Sequence, residues 1–191
     1  MILRLLRKRP AANRDSIPVT MTGVRMGERL LQIGVDDPSL VATLAAKVGL
    51  SGTAAVAVDN ERDANRARAI AAKAGVLIDV HVAPWSLLSL PESSFDLVVV
   101  QGTAGYLAAM TPENRVACLR QAYRALRPGG RLVVIEAAPR AGLGALLRGH
   151  AVNEHYQAGG GAEGALKAER FNPVRTVGEA EGYRFTEGLK T

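Results

Sequence analysis

The feature that most constrains this chain is a series of short, largely apolar runs that alternate with helical patterns. Leu30-Leu31-Gln32-Ile33 ends at Gly34, and Ala54 to Val58 ends at Asp59. Val76 to Val82 makes a third run, Leu97 to Val100 a fourth and Arg131 to Ile135 a fifth. A strand with one wet face alternates apolar and polar residues, whereas a strand covered on both faces does not. The intervening segments carry apolar residues at helical spacing. Pro38 to Val48 places Leu40, Val41, Leu44, Ala45 and Val48 on one side, with Asp37 set to cap it and Gly49 to end it. Glu61 to Ala74 turns Ala64, Ala67, Ala71 and Ala74 inward before Gly75. The helix capped by Thr111 and opened by Pro112 is predicted to turn Val116, Leu119, Tyr123 and Leu126 inward, until Arg127-Pro128-Gly129-Gly130 breaks it. Doubly covered strands alternating with helices predict an α/β fold with a doubly wound parallel sheet. Right-handed crossovers gather the strand C-termini on one edge, where ligands bind.

The tail follows a different rule. Pro173 to Glu179 and Tyr183 to Leu189 flank Ala180-Glu181-Gly182, which predicts an antiparallel hairpin and brings the strand total to seven. The 191 residues, 48% apolar and 22% charged, fit one globular domain. Residues 1–16 read as a basic leader, with Arg4, Arg7, Lys8, Arg9 and Arg14, ahead of a domain over 17–191. Such a leader predicts a weak contact with an anionic membrane surface or a protein. The net charge of +6 raises nucleic acid as a partner, but only 4% of residues are aromatic and no stacking platform is visible. No specific nucleic-acid binding is expected. Cys118 is the only cysteine, so no internal disulfide forms, and no Cys/His set has metal-ligand spacing. No apolar run approaches the ~20 residues of a membrane span, and the start makes a poor signal peptide, so a cytoplasmic location is expected.

Four segments sharpen the reading. They are Arg29 to Gly34, Ala55 to Asp59, Leu90 to Val100, which includes Pro91-Glu92-Ser93-Ser94-Phe95-Asp96, and Leu126 to Val134, which includes Arg127-Pro128-Gly129-Gly130. In this order they resemble the motifs of the class I S-adenosylmethionine-dependent methyltransferases, in the branch called methyltransferase domain 11, the ubiquinone/menaquinone type. The resemblance implies a Rossmann-like, mostly parallel seven-stranded sheet with helices on both faces, its last strand antiparallel between the fifth and the sixth. It also implies S-adenosylmethionine at the strand C-termini and methyl transfer to an unidentified, small-molecule acceptor.

Candidate residues follow from that edge. A tight turn at Gly34-Val35-Asp36 lets backbone approach a ligand. Asp59 is placed either to hold ribose hydroxyls or to cap the next helix, and Asn60 offers itself as the alternative cap. At the third strand's end Ala83 and Trp85 are candidates to meet adenine, with Trp85 as a core plug the competing reading. Gln101 and Tyr106 follow the fourth strand, where the family places the reaction centre; an ordinary loop is the competing reading. His150, His155 and Tyr156 fall in a segment that would cap the pocket; His155 and Tyr156, with Tyr106, are substrate-lining candidates, and lid or surface residues are the competing reading.

The chain also departs from the family's acid-x-Gly-x-Gly-x-Gly. The corresponding positions are Gln32, Gly34, Asp36 and Pro38. Asp36 and Asp37 would repel a methionyl carboxylate, attract its ammonium, or serve only the helix end. An alternative function is therefore a catalytically inactive binding or partner subunit. A nicotinamide dehydrogenase is disfavoured because Gly34 to Ser39 lacks Gly-x-Gly-x-x-Gly.

Overall fold

The structure, a computed structural model, describes residues 16–138 and 154–191. The leader reading for residues 1–15 and the lid reading for His150 lie outside them. The strands are β1 (Arg29–Ile33), β2 (Thr53–Val58), β3 (Asp79–Val82), β4 (Phe95–Gly102), β5 (Leu126–Ala137), β6 (Val174–Ala180) and β7 (Tyr183–Leu189). The helices are α1 (Ile17–Thr22), α2 (Pro38–Val48), α3 (Glu61–Ala74), α4 (Tyr106–Ala109), α5 (Pro112–Ala125), α6 (Glu154–Ala158) and α7 (Gly161–Ala168). The seven strands form one sheet in the order β3-β2-β1-β4-β5-β7-β6. The first five pair in parallel, and β7 runs antiparallel between β5 and β6.

Packing explains the apolar runs. Alternate residues of a strand point to opposite faces. Leu31, Ile33, Val98, Val100, Leu132 and Val134 enter one core with Leu119 and Ala122 of α5 and Leu166 of α7. Their neighbours Leu30, Leu97, Val99, Val133 and Ile135 enter a second core with Val19 of α1, Leu44 of α2 and Phe185 of β7. The hairpin turn has positive φ at both central residues, Glu181 (52°) and Gly182 (81°), the requirement of a two-residue type I′ turn.

Four expectations need correction. Helix α3 turns Ala64, Ala67 and Ala71 inward, but Ala74 at its last turn is exposed. The third strand begins at Asp79 rather than Val76: Val76 and Ile78 still pack on the core, but Leu77 is 85% exposed, which breaks the doubly covered pattern. Helix α5 buries Cys118, Leu119, Ala122 and Ala125, leaving Val116 exposed. The Pro128-Gly129-Gly130 break lies inside β5, because the strand's irregular start absorbs it. Gly129 N–H donates to Lys190 O (2.7 Å) and Lys190 N–H to Gly130 O (2.9 Å).

Asp96 fastens the opposite end of the sheet from the strand C-termini. It accepts bonds from Arg29 N–H (2.7 Å), from the Arg29 guanidinium and from Arg127. Burial works to raise its pKa, but the bonds from Arg29 and Arg127 prevail and bring the carboxyl down to about 2. Asp96→Asn is expected to cost about 1–2 kcal/mol near neutral pH, a discounted figure because the two guanidiniums are 44% and 48% exposed. A depressed carboxyl stabilises above its unfolded pKa of ~3.9, and that contribution is lost as pH falls through about 2. Urea midpoints of the two proteins should therefore converge on acidification; a constant gap would contradict this account.

Candidate functional site

The strand C-termini meet where β1 and β4 adjoin while their connections leave in opposite directions, the topological switch point of the sheet. Gly34 ends β1 with φ of 81°, a left-handed value that disfavours a side chain. A Cβ there would stand 3.3 Å from Gln101 O and 3.5 Å from two ring carbons of Tyr106. Val35 is buried in the core with α3. Asp37 caps α2, its carboxylate accepting from Ser39 N–H (2.9 Å) and Leu40 N–H (3.4 Å). The first donors of that helix are thus taken by its own cap.

Asp36 does something the sequence did not disclose. Its Oδ2 accepts a 2.7 Å bond from Ala104 N–H in the loop after β4. Burial raises its pKa against the lowering effect of that bond. Gln101 is also committed: its side chain is fully buried, donates to Gln32 Oε1 (3.2 Å) and accepts from Asp37 N–H (3.1 Å). Gln32 in turn donates to Val41 O (3.0 Å). Two neutral amides therefore brace the first loop where the family pattern has an acid. Gln101→Leu should strand Asp37 N–H and Gln32 Oε1, at about 1–3 kcal/mol per buried group left unpaired. The urea midpoint should fall with an unchanged slope.

At the end of β2, Asn60 takes the capping role for α3, accepting from Asp63 N–H (2.9 Å) and donating to Asp59 Oδ1 (2.8 Å). Asp59 is left exposed, its carboxylate free of the helix end. Ala83 N–H is used by Val58 O (3.1 Å). Trp85 is buried at 3% exposure and meets Tyr106 edge-on, with ring centroids 5.9 Å apart. Neither Trp85 Nε1 nor Tyr106 Oη has a hydrogen-bond partner, though both are buried. Burial raises the phenol's pKa, the Asp59 charge adds to the rise, and the neighbouring indole N–H offsets part of it. Beneath them Cys118, fully buried, has its thiol pushed up to about 12 by burial, with Asp59 adding to it, so it is no nucleophile.

Gly34, Asp59, Trp85 and Tyr106 thus gather at the C-terminal edge of the sheet, the candidate cleft, with Asp59 exposed and Trp85 and Tyr106 packed on the core. His155 and Tyr156 belong to a different feature, a groove of about 220 Å³ between α5 and α7 that Arg115 and Val116 also line. His155 is exposed and Tyr156 is buried, with the Arg115 guanidinium 4.5 Å over its ring. Tyr156 Oη donates to Glu136 Oε1 (2.6 Å) at the end of β5. Burial raises the Glu136 pKa against bonds from Tyr156 and the Ala162 backbone. Glu136 caps α7 from the sheet, where Gly160 has no side chain to do so. Sequence reasoning missed it, and the acid directly after an apolar strand was its only signal. Among the described residues no group of three or more His, Cys, Asp or Glu is placed to hold a metal ion, and no helix is long and apolar enough to cross a membrane.

The family model described as "Methyltransferase domain" matches residues 31–134, more than half of the chain and all of the cleft just described. The chain belongs to this methyltransferase domain family. Among curated proteins it is 27% identical over 120 residues to the ubiquinone/menaquinone biosynthesis C-methyltransferase UbiE of Hydrogenovibrio crunogenus, covering 62% of this chain and 45% of that protein. The UbiE of Vibrio cholerae serotype O1 is 30% identical over 120 residues, covering 62% of this chain and 44% of that one. The matched region thus spans less than half the length of these relatives. Among solved structures, a SAM dependent methyltransferase from Aquifex aeolicus superposes with a TM-score of 0.71 at 17% identity, over 91% of this chain and 88% of that one. The S-adenosylmethionine-dependent methyltransferase SibL, in its apo form, gives 0.66 at 23% identity, over 93% and 55%. The methyltransferase domain fold, including the antiparallel seventh strand, is therefore as the sequence implied.

Proposed function

We propose that the protein transfers a methyl group from S-adenosylmethionine to a small-molecule acceptor. The observation that carries this reading is Asp59. Its neighbour Asn60 takes the helix cap, so a carboxylate at the end of the second strand stands ready to accept from two ribose hydroxyls. Gly34 and Val35 would bring backbone against the ligand, and Ala83 and Trp85, which follow β3, are the candidates to meet its adenine end. The cofactor supplies an electrophilic methyl group on a sulfonium. The chain's own task is to bind, align and exclude water, which explains why no Ser/His/Asp constellation is needed. Tyr106 packs against the Gly34 turn and is the candidate to face the acceptor once the cofactor is bound. Tyr156 and His155 line a separate groove, where Tyr156 ties α6 to Glu136 of the sheet and to Arg115 of α5.

Calorimetry with S-adenosylmethionine and S-adenosylhomocysteine tests the proposal. Either ligand should bind and raise the melting temperature with concentration, as expected for a ligand specific to the folded state. The opposing reading, a non-catalytic subunit, draws on one observation: the α2 N-terminus has spent its donors on Asp37 and has few left for a methionyl carboxylate. No binding at millimolar ligand would leave that reading standing.

A further inference from the structure

The cleft is closed by its own chain. The loop after β1 is tied to the loop after β4 by Ala104 N–H to Asp36 Oδ2 (2.7 Å), and to the end of β4 itself by Asp37 N–H to Gln101 Oε1 (3.1 Å). The tied loop delivers Tyr106 onto Gly34, its ring carbons 3.5 Å from the position of a Cβ there. The same ring meets Trp85 at 5.9 Å, and its phenol lies close enough to Asp59 to feel the carboxylate charge. Tyr106 therefore reaches from the glycine turn toward Asp59 and Trp85, the course a nucleoside would follow. The closed arrangement leaves both polar tips, Trp85 Nε1 and Tyr106 Oη, buried and unpartnered. Folded chains rarely leave two adjacent polar groups so, and here each would gain a partner if the cleft opened to water or ligand.

We propose that Tyr106 is a built-in plug of the cofactor cleft, held shut by the Asp36–Ala104 bond, and that the Thr103–Tyr106 loop swings off Gly34 when the cofactor enters. This rests on reading the cleft as an S-adenosylmethionine site. It also gives the family-atypical Asp36 a role: a positioning residue for the loop, neither repelling nor holding the cofactor. A ligand that binds only the open state has its affinity lowered by the fraction of molecules that are open. Removing the plug therefore tightens binding.

The test uses the 191-residue chain, S-adenosylhomocysteine as probe and its single tryptophan, Trp85, as reporter. Tyr106→Ala should bind roughly tenfold tighter than wild type or more, for a plug closed about nine-tenths of the time or more. Tyr106→Phe, which keeps the ring, should bind like wild type. Without ligand, Asp36→Ala should leave Trp85 more accessible to acrylamide quenching, and association with the probe should be faster. Tyr106→Ala binding more weakly than wild type would make Tyr106 a ligand contact and overturn the plug. Unchanged quenching in Asp36→Ala would overturn the latch, and this arm holds even where Tyr106→Ala fails to fold. If no protein binds the probe at millimolar concentration, the cofactor reading fails by itself, while the quenching measurement still decides whether the latch exists.

Discussion

Asp59→Ala is expected to weaken S-adenosylhomocysteine binding by roughly ten- to a hundredfold, at ~1.4 kcal/mol per factor of ten. On the proposed reading the substitution removes the carboxylate's charge-assisted hydrogen bonding to ribose, a net loss of ~1.5–3 kcal/mol. The folded protein should hardly notice, because Asp59 is exposed and the helix cap belongs to Asn60. This separation of binding from stability is what makes the measurement informative. Asn60→Ala should show the reverse, a stability loss of about 1 kcal/mol typical of a lost cap, with binding less affected. Calorimetric titration and urea melts of both variants check the pair. Equal loss of binding in the two would mean that the α3 N-terminus as a whole, and not the Asp59 carboxylate, carries the ligand.

Phe185→Ala should remove about 3–5 kcal/mol of stability, the usual range for a buried phenylalanine. Phe185 is fully buried in the second core, where it joins Val19, Leu30 and Ile135. It comes from β7, whose register sets Phe185 opposite Ile135 of β5. The cavity would open on the sheet face covered by α1 and α2, with little chance of collapse because the strand backbone beneath it is held by sheet hydrogen bonds. A domain's whole stability is typically ~5–15 kcal/mol, so the variant should be marginal at physiological temperature. A loss below about 1 kcal/mol would show that the hairpin is only loosely seated on the core, since even modest core truncations exceed that figure.

Much of this architecture was legible because its signals are local. A strand covered on both faces cannot alternate, so Leu97 to Val100 announced its depth, and Glu181-Gly182 announced a turn that needs positive φ twice. Asp37 and Asn60 were readable as caps because capping partners lie within three residues. The inside of the cleft was less open to such reading. Asp36 finds its partner 68 residues away, and Gln32 finds Gln101 at a separation of 69. Nothing in either segment encodes the other's position. Val116 was misjudged because the α5 stripe is built partly from Cys118 and Ala122, small residues whose burial depends on how closely the helix approaches the sheet. Glu136 escaped because its partner Tyr156 lies 20 residues on, across a connection without strong periodicity.

The position of β7 has a consequence for synthesis. Strand β5 is flanked by β4 on one side and by β7 on the other. While the ribosome is still making residues 138 to 182, β5 has no neighbour on its second side. Its Leu132 to Ile135 backbone presents unpaired donors and acceptors along an apolar edge, the kind of surface on which nascent chains stick to one another. That edge closes only when residues 183–189 emerge and insert beside it, later than every other pairing in the sheet except the hairpin's own. A stalled or truncated translation product ending before Tyr183 would carry that open edge and the exposed face of Ile135, and would be a natural target for chaperones.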